Sequence, residues 1–350
     1  MDKSLSRSAV LKKLVGDKKF QELVPTGVLG VNRPPITWVS TGNYALDWCV
    51  SGKLFDGGLP VGRIVEIFGD PSAGKSLIVC GIMGNVQRMG GIAIYDDAEE
   101  SADKEFMEKM GCDVSEQAML LKSSKTVEEH FKAVEFEIEK IRSLGFTGVI
   151  VVVLDSLASV STRHEVETGL DKVDMARAKV IKAAMRLMGG TFARKGVLYV
   201  LLNHTISNMG VRFPSKVRPA QTTPGGGGPK FHASVRVELV IRELYQDVTN
   251  LITGVKVKAT VVKNKMAPPF RQCEIDCFYK SGVDICSGLF KVLQQAGVVT
   301  SVSSGWYRYK DGTKNIREED IMELVKADLG GKSDVDTVRK DNSGGAPAAE

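Results

Sequence analysis

Apolar runs along the middle of the chain alternate with stretches in which apolar residues recur at helical spacing. The strand-like runs are residues 63–68, 91–96, 148–154, 197–202, 234–242, 255–263 and 271–279. Strands that alternate with helices are typical of an α/β protein with a mostly parallel sheet covered on both faces. No long helix separates the last strands, so we expect that edge of the sheet to be antiparallel.

The two ends of the chain depart from this pattern. Residues 5–24 place apolar side chains among lysines at the spacing of a short amphipathic helix, and residues 25–35 are rich in Gly and Pro. The last twenty residues carry few large apolar side chains, which predicts disorder. The predicted parts are an N-terminal helix and linker (1–37), a core (38–284), a small α/β C-terminal domain (285–330) and a disordered tail (331–350).

Composition and charge restrict the class of protein only loosely. The chain is 43% hydrophobic and 25% charged with a net charge of +5, so a surface for nucleic acid would have to be local. The N-terminus lacks an apolar signal core and no apolar run reaches the ~20 residues of a membrane span, which predicts a cytoplasmic protein without a membrane partner. Cys273 and Cys277 lack a second ligand pair, which argues against a zinc site.

The most specific motif is GDPSAGKS at residues 69–76, which matches the G-x-x-x-x-G-K-[ST] phosphate-binding loop between a strand and a helix. Its glycines let backbone N–H groups face a phosphate, and the helix N-terminus adds partial positive charge. Lys75 would reach the β/γ-phosphates and Ser76 would hold Mg²⁺, so the motif predicts a protein that binds ATP or GTP. The predicted nucleotide-binding residues are Gly69, Asp70, Pro71, Ser72, Ala73, Gly74, Lys75 and Ser76.

Three further strands end in polar residues, and ligands of parallel sheets bind at the carboxyl ends of strands. One strand leads to Asp97 and Glu99, and the next ends at Asp155, the expected place of a carboxylate that holds Mg²⁺ through water. Glu99 could act as the base that orients the attacking water, although Glu100 is equally well placed. The alternative is that these carboxylates cap helices.

The third of these strands ends at Asn203 and His204. A single histidine at a strand end is commonly a hydrogen-bonded structural group. The position of His204 beside the predicted γ-phosphate favours a functional role instead.

A long segment, residues 205–228, follows this strand, and its pattern predicts neither helix nor strand. Such a loop inside a compact domain is usually functional or disordered. It is basic without Asp or Glu, which suits a phosphate backbone, and its apolar and aromatic residues suit unstacked bases. The alternative is a floppy insertion. The candidate DNA-binding residues in it are Met209, Arg212, Phe213, Lys216, Arg218, Gly226 and Gly227.

A second candidate loop, residues 162–174, follows the strand that ends at Asp155. Its charges are mixed, so it is weak evidence by itself. The predicted helix 175–188 carries Arg177, Lys179, Lys182 and Arg186. We include Arg177 among the candidate DNA-binding residues; a solvated basic face is the alternative.

Together these segments resemble the RecA family of homologous-recombination strand-exchange proteins of bacteria and bacteriophages. The likeness covers about residues 38–285. It is carried by STGNYALD (40–47), GLPVGRIVEI (58–67), DAE (97–99), DS (155–156), KFHASVR (230–236) and VVKNK (261–265). The Asn203-His204 pair is more similar to the phage members, because the cellular bacterial pattern has Gln at the second position.

The resemblance implies roles for particular residues. Glu99 matches the glutamate that activates water, which decides between it and Glu100. Asp103 and Phe106 match positions that contact adenine and favour ATP. Lys263 and Lys265 match lysines that reach the γ-phosphate of the neighbouring subunit's ATP.

The resemblance also implies surfaces and partners. Residues 205–228 match the second DNA-binding loop and residues 162–174 the first. The helix at 5–24 is similar to the segment that docks on the adjacent protomer, and Phe231 lies in a stretch tied to that interface. The implied partners are single-stranded DNA, homologous duplex DNA and further copies of the chain. A single-strand-binding protein and a loader are additional candidates.

The implied function is that of an ATP-dependent DNA recombinase in bacterial or phage-infected cytoplasm. Such a protein is a DNA-dependent ATPase that forms a filament on single-stranded DNA. Two alternatives remain at this point: a hexameric helicase-type motor built on the same core, and a mediator that loads another recombinase.

Overall fold

The computed structural model describes residues 35–169, 177–207 and 221–330, together with the isolated positions Lys13, Asp17 and Lys18. The chain divides into two units at Thr37 and Trp38, and every element described below belongs to the second. Apart from those three positions, the predicted N-terminal helix, most of the linker and the predicted tail lie outside the described residues. The boundaries proposed from the sequence therefore stay predictions.

Strands and helices alternate through most of the described chain. The strands are β1 (Trp38–Val39), β2 (Leu59–Pro60), β3 (Ile64–Gly69), β4 (Ile92–Asp97), β5 (Met119–Lys122), β6 (Ile150–Asp155), β7 (Val197–His204), β8 (Ile206–Ser207), β9 (Gln221–Thr222), β10 (Val235–Gln246), β11 (Ile252–Asn264), β12 (Gln272–Phe278), β13 (Gly282–Val283), β14 (Val299–Ser303) and β15 (Trp306–Tyr309). The helices are α1 (Tyr44–Ser51), α2 (Lys75–Arg88), α3 (Lys104–Lys109), α4 (Val127–Ser143), α5 (Arg163–Thr168), α6 (Arg177–Lys195), α7 (Gly227–His232), α8 (Leu289–Gln295) and α9 (Glu318–Gly330).

Within the described residues, one nine-stranded sheet organises the core, in the order β13-β12-β11-β10-β3-β7-β6-β4-β5. The pairs from β10 to β5 are parallel, whereas β10, β11, β12 and β13 pair antiparallel. This arrangement confirms both the α/β class and the antiparallel edge expected from the missing crossover helix.

The sheet is buried on both faces, which explains why its central strands are continuous apolar runs. Alternate residues of β6 point to opposite sides: Val151 and Val153 pack with α2, while Val152 and Leu154 pack with α4 and α6. The described part of the chain contains no helix long and apolar enough to cross a membrane.

Both predicted DNA loops contain regular structure that the sequence reading did not predict. Residues 163–168 form α5, and Thr162 and Glu165 close a reciprocal capping box at its start. At the ends of 205–228, β8 pairs with β9 and α7 begins at Gly227. Consecutive glycines and a proline gave the appearance of an irregular loop, yet proline is well tolerated in the first turn of a helix.

Candidate active site

Four parallel strands end at the same edge of the sheet, and the predicted catalytic residues Lys75, Glu99 and His204 follow or end three of them. Gly69 at the end of β3 is in register with His204 at the end of β7. Asp97 at the end of β4 is likewise in register with Asp155 at the end of β6. The carboxyl ends of these strands therefore form the crevice in which parallel α/β proteins bind ligands.

The phosphate-binding loop has the backbone that its motif requires. Ser72 and Gly74 adopt left-handed conformations with φ of 62° and 76°, and α2 starts directly after Gly74. A Cβ at Gly74 would come within 3.0 Å of the Cys277 Sγ, so this position also needs glycine for space. The N–H groups in the first turn of α2 have no intrahelical acceptor, which leaves them available to an anion.

Lys75 is almost buried, and its ammonium lies inside the loop. Its Nζ donates to the carbonyl oxygens of Gly69 at 3.1 Å and Asp70 at 2.9 Å. Burial lowers the pKa of Lys75, while the charges of Asp155 and Glu99 oppose the shift. The next residue, Ser76, is exposed on the first turn of α2, where its hydroxyl is free to face solvent and ligand.

Asp155 is a buried carboxylate in an acidic environment. Its Oδ2 accepts a 2.7 Å bond from the Tyr95 hydroxyl. Burial, together with the charges of Glu99 and Asp97, raises the pKa of Asp155 to about 6. No group of three His, Cys, Asp or Glu residues that could hold a metal occurs in the described ranges. Mg²⁺ typically uses one or two protein oxygens together with substrate phosphates and water, and the Asp155 carboxylate with the Ser76 hydroxyl could supply such oxygens.

Glu99 is held by three donors that converge on one carboxylate oxygen. Its Oε1 accepts from Ser156 Oγ at 2.5 Å and Ser159 Oγ at 3.2 Å, and lies 3.0 Å from His204 Nε2. Burial by itself raises the pKa of Glu99, but the bonds from Ser156 and His204 outweigh it and lower the pKa. Glu100 instead accepts from Ser123 at 3.4 Å. Neither Glu99 nor Asp155 caps a helix, so that alternative does not describe them.

Hydrogen bonds link the phosphate loop to the start of the 205–228 segment. Thr205 Oγ1 donates to Asp70 Oδ1 at 2.5 Å, and the His204 N–H donates to Asn203 Oδ1 at 3.1 Å. The Asn203 Nδ2 group in turn donates to the Pro224 carbonyl at 3.1 Å. Residues beside the phosphate site therefore touch both ends of this segment.

A buried ion pair supports this linkage, and sequence reasoning did not identify it. Glu66 lies fully buried in β3, where Arg236 and Asn203 donate to its carboxylate. Arg236 also donates to Thr223 Oγ1 at 3.1 Å. The available signal was a charged residue within the apolar run 63–68, since an ionised group in a strand buried on both faces needs a partner.

The predicted adenine contacts lie at the start of α3, which follows β4. Asp103 caps this helix by accepting from the N–H groups of Glu105 at 2.9 Å and Phe106 at 3.3 Å. Phe106 is partly buried against the apolar core. Asp103 thus has a capping role in this structure, and adenine contact by either residue stays a prediction.

Lys263 and Lys265 lie away from their own phosphate loop. The Lys265 N–H donates to the Ser234 carbonyl at 2.9 Å, and the Ser234 N–H in turn donates to the carbonyl of Ile64 at the start of β3. Lys263 pairs across the sheet with Arg236, which is in register with Glu66, three residues before the end of β3. This places Lys263 about 10 Å back along the strands and two strands away from Gly69. Its Nζ donates to the carbonyls of Lys230 at 2.6 Å and Phe231 at 3.0 Å. Burial, with the charges of Lys265 and Arg236, lowers the pKa of Lys263 to about 8.

The candidate DNA-binding residues are placed unevenly. Met209, Arg212, Phe213, Lys216 and Arg218 lie outside the described residues. Gly226 precedes α7 and packs so closely on α6 that a Cβ there would meet Ala178 at 2.9 Å. Gly227 begins α7 beside the Phe231 ring. The Arg177 guanidinium is bonded to the backbone carbonyls of residues 157, 158 and 160.

These features define a class of protein. A parallel sheet with a phosphate-binding loop after one strand, and carboxylates at the ends of two neighbouring strands, is the architecture of a P-loop ATPase.

Comparison with known proteins identifies the family within this class. The RecA N-terminal domain family matches residues 15–284. Protein RecA of Frankia alni is 31% identical over 319 residues, which cover 91% of this chain and 87% of that protein. Protein RecA of Rhodococcus jostii is 33% identical over 324 residues, 88% of each chain. Protein RecA of Tropheryma whipplei is 33% identical over 312 residues, 89% of this chain and 64% of that protein. The chain belongs to the RecA family.

Proposed function

We propose that this protein is an ATP-dependent DNA recombinase, which forms a filament on single-stranded DNA and catalyses homologous pairing and strand exchange. One observation carries the proposal beyond family membership. The residues beside the phosphate loop are hydrogen-bonded to both ends of the predicted DNA-binding segment, at Thr205 and at Pro224. A structural change at the phosphate site would therefore be transmitted to a segment whose composition suits nucleic acid.

The hydrolytic roles follow from the geometry of the site. Lys75 and the first turn of α2 bind the phosphates, and Ser76 with Asp155, the latter through water, holds Mg²⁺. The ion neutralises charge that develops on the phosphates. Glu99 accepts the proton of the attacking water through its carboxylate. His204 Nε2 lies against this carboxylate, where it senses the occupied phosphate site.

The site requires a second copy of the chain to be complete. Lys263 and Lys265 cannot serve their own phosphate loop from their place in the sheet, which supports the proposal that they contact ATP held by a neighbouring protomer. Hydrolysis would then depend on the assembled filament. ATP binding favours the DNA-ordered state and hydrolysis releases it, because the γ-phosphate interacts differently with the two states.

DNA recognition in this proposal is delegated to base pairing. The basic segment 205–228 holds the backbone and bases of one strand, and the homologous duplex is tested against that strand. The first loop, residues 162–174, is proposed to contact DNA as well. A single-strand-binding protein and a loader are proposed as partners, and the cytoplasm as the location.

Strand exchange between fluorescent oligonucleotides tests the function directly. ATP is supplied with either a homologous or a scrambled duplex, and the Lys75→Ala variant serves as the nucleotide-binding control. Exchange with only the homologous duplex is expected from the wild-type protein. Unwinding of both duplexes by closed rings would favour the helicase-type motor. DNA binding and ATP turnover without exchange, even with a single-strand-binding protein added, would favour the mediator.

A further inference from the structure

The turn that follows β6, residues 156–160, lies between the candidate active site and the start of α6. One side of it faces Glu99, and the other faces the first residue of α6. Leu157 and Val160 anchor the turn, since each side chain is only 1% exposed. The Leu157 N–H also donates to the Leu202 carbonyl of β7 at 3.1 Å.

The side of the turn that faces Glu99 presents two hydroxyls. Ser156 and Ser159 both donate to Oε1, and their own oxygens lie 3.2 Å apart. A carboxylate oxygen has two lone pairs, so these donors and His204 saturate Oε1. Among the described residues none donates to Oε2. The arrangement fixes the plane of the carboxylate and leaves Oε2 as the oxygen that can accept a proton from water.

The other side of the turn is bound by Arg177. Its Nη2 lies 2.9 Å from the Leu157 carbonyl oxygen, 2.9 Å from that of Ala158 and 2.8 Å from that of Val160. Charge-assisted bonds of this length are stronger than neutral ones, and a guanidinium presents its donors in a rigid plane. Arg177 therefore fixes the backbone on both sides of Ser159.

We propose that Ser159 is a positioning residue for Glu99, and that Arg177 maintains this position by holding the turn that carries Ser159. Hydrogen bonds thus connect the start of α6 to the carboxylate that acts on water. Arg177 binds the carbonyls of the turn, and Ser159 in the same turn donates to Glu99 Oε1. The inference rests on the proposed role of Glu99 as the base. It assigns Arg177 to hydrolysis, whereas its charge alone had suggested DNA binding.

Exposure distinguishes Arg177 from the other cations in the first half of its helix. Lys179, Lys182 and Arg186 are exposed, whereas Arg177 is partly buried and its Nη2 group is occupied by three carbonyls. Release of Nη2 to bind a phosphate would deprive all three carbonyls of their charged donor. Arg177 is therefore the cation of α6 from which we expect a hydrolytic effect without an effect on DNA affinity.

The first test compares Ser159→Ala with Ser159→Thr, which keeps the hydroxyl. At saturating single-stranded DNA we expect Ser159→Ala to lower kcat roughly tenfold, as for the loss of one hydrogen bond to a charged group, with KM for ATP unchanged. Ser159→Thr restores most of the rate. Ser123→Ala, which removes a hydroxyl from Glu100 instead, leaves the rate at the wild-type value.

Ser159 is exposed, so these variants should fold, and equal urea midpoints confirm it. A Ser159→Ala kcat equal to wild type overturns the proposal, as does a Thr variant as slow as the Ala variant. If the wild-type protein itself lacks DNA-dependent ATP hydrolysis, the proposed function fails instead, so the two failures are distinguishable.

The second test concerns Arg177→Met, with Lys179→Met as the matched loss of an exposed cation. We expect Arg177→Met to lower kcat about as much as Ser159→Ala, and the double variant Arg177→Met/Ser159→Ala to be little slower than either single variant, because both act through one contact. The salt dependence of single-stranded DNA affinity remains that of the wild type. If kcat were unchanged and the slope of log DNA affinity against log salt concentration fell by about one, Arg177 would be a phosphate contact and the proposal would be overturned.

Discussion

Two clusters of carboxylate, histidine and hydroxyl groups are built on residues at or just after the end of β4, and they differ in their environment. The closed cluster consists of Asp96, Ser124, His130 and Tyr199. The open cluster consists of Glu99, Ser156, Ser159 and His204. Asp96 is only three residues before Glu99, so neighbouring positions of one segment supply the carboxylate of each cluster.

The closed cluster is buried and saturated. Asp96 Oδ2 accepts from Ser124 Oγ at 2.6 Å and lies 2.6 Å from His130 Nδ1, while Oδ1 accepts from the Ser124 N–H at 2.8 Å. His130 Nε2 lies 2.8 Å from the Tyr199 hydroxyl. Burial lowers the pKa of His130, so its neutral ring donates to Asp96 and accepts from Tyr199. These bonds join β4, β7 and α4.

The open cluster contains similar residue types, but it is less buried and its carboxylate is only partly hydrogen-bonded. The side chains of Glu99 and His204 are 30% and 33% exposed, and one oxygen of Glu99 is left to a ligand. The comparison teaches that residue type does not distinguish a structural network from a reactive one. Burial and the number of hydrogen-bonded carboxylate oxygens distinguish the two. A buried network in which every oxygen has a donor only stabilises the fold, whereas a carboxylate with an oxygen left over can still accept a proton.

The largest expected effect is that of Glu99→Gln in the open cluster. An amide cannot accept the proton of water, so ATP hydrolysis should fall about 10²- to 10⁴-fold. ATP and DNA binding persist, which gives long-lived filaments that electron microscopy can count. Glu100→Gln is the matched control, and normal turnover in Glu99→Gln with loss in Glu100→Gln would transfer the role of base to Glu100.

In the closed cluster, His130→Ala should act on stability instead. The substitution leaves a cavity and takes a hydrogen-bond donor from the buried Asp96 carboxylate, and losing a large buried side chain of this kind costs about 3–5 kcal/mol. Urea unfolding at pH 7 measures the loss. His204→Ala in the open cluster should cost far less, because its ring is partly exposed. Equal losses for the two variants would contradict the distinction between the clusters.

Ser124→Ala should produce a smaller loss. It removes the hydroxyl that donates to Asp96 Oδ2, and leaving a buried acceptor short of a donor costs about 1–3 kcal/mol. The Ser124 N–H still donates to Oδ1, which limits the effect. Ser123→Ala, one residue earlier and exposed, is the control for urea unfolding and should leave the midpoint unchanged. A Ser124→Ala midpoint equal to that control would show that the hydroxyl adds nothing.

The open cluster was largely predictable from sequence because its signals are local. The phosphate loop is one continuous motif, and Asp155 and His204 each end an apolar run, so parallel topology brings them together. The resemblance selected Glu99 over Glu100. The supporting residues had weaker signals, although Glu66 stands out as a charge within an apolar strand.

The closed cluster could not be predicted in the same way. His130 is one polar residue in an amphipathic helix, and its partners Asp96 and Tyr199 are 34 and 69 residues away in sequence. Arg177 similarly resembles a solvated helix cation until the fold places three carbonyls against it. Contacts of this kind depend on how elements pack, and no periodicity or spacing records that packing.

The smallest expected effect is a pH dependence of stability that resides in the closed cluster. The groups around His130 are Asp96, Tyr199, Lys122 and Glu137. Because its folded pKa is lowered, the unfolded chain binds a proton below about pH 6.5 while the folded protein does not, so acidification favours unfolding. The pKa of Asp96 is also lowered, because bonds from His130 and Ser124 outweigh its burial, and this adds a further loss at lower pH.

His130→Gln isolates the histidine share of this dependence, since glutamine can hydrogen-bond but does not titrate. Urea midpoints measured from pH 7.5 to pH 5 should fall less steeply for His130→Gln than for the wild type. His204→Gln should leave the wild-type slope intact, because little stability depends on that partly exposed ring. A slope that flattened in His204→Gln and not in His130→Gln would mean that acid sensitivity resides in the open cluster, and that stability and hydrolysis share one titrating group.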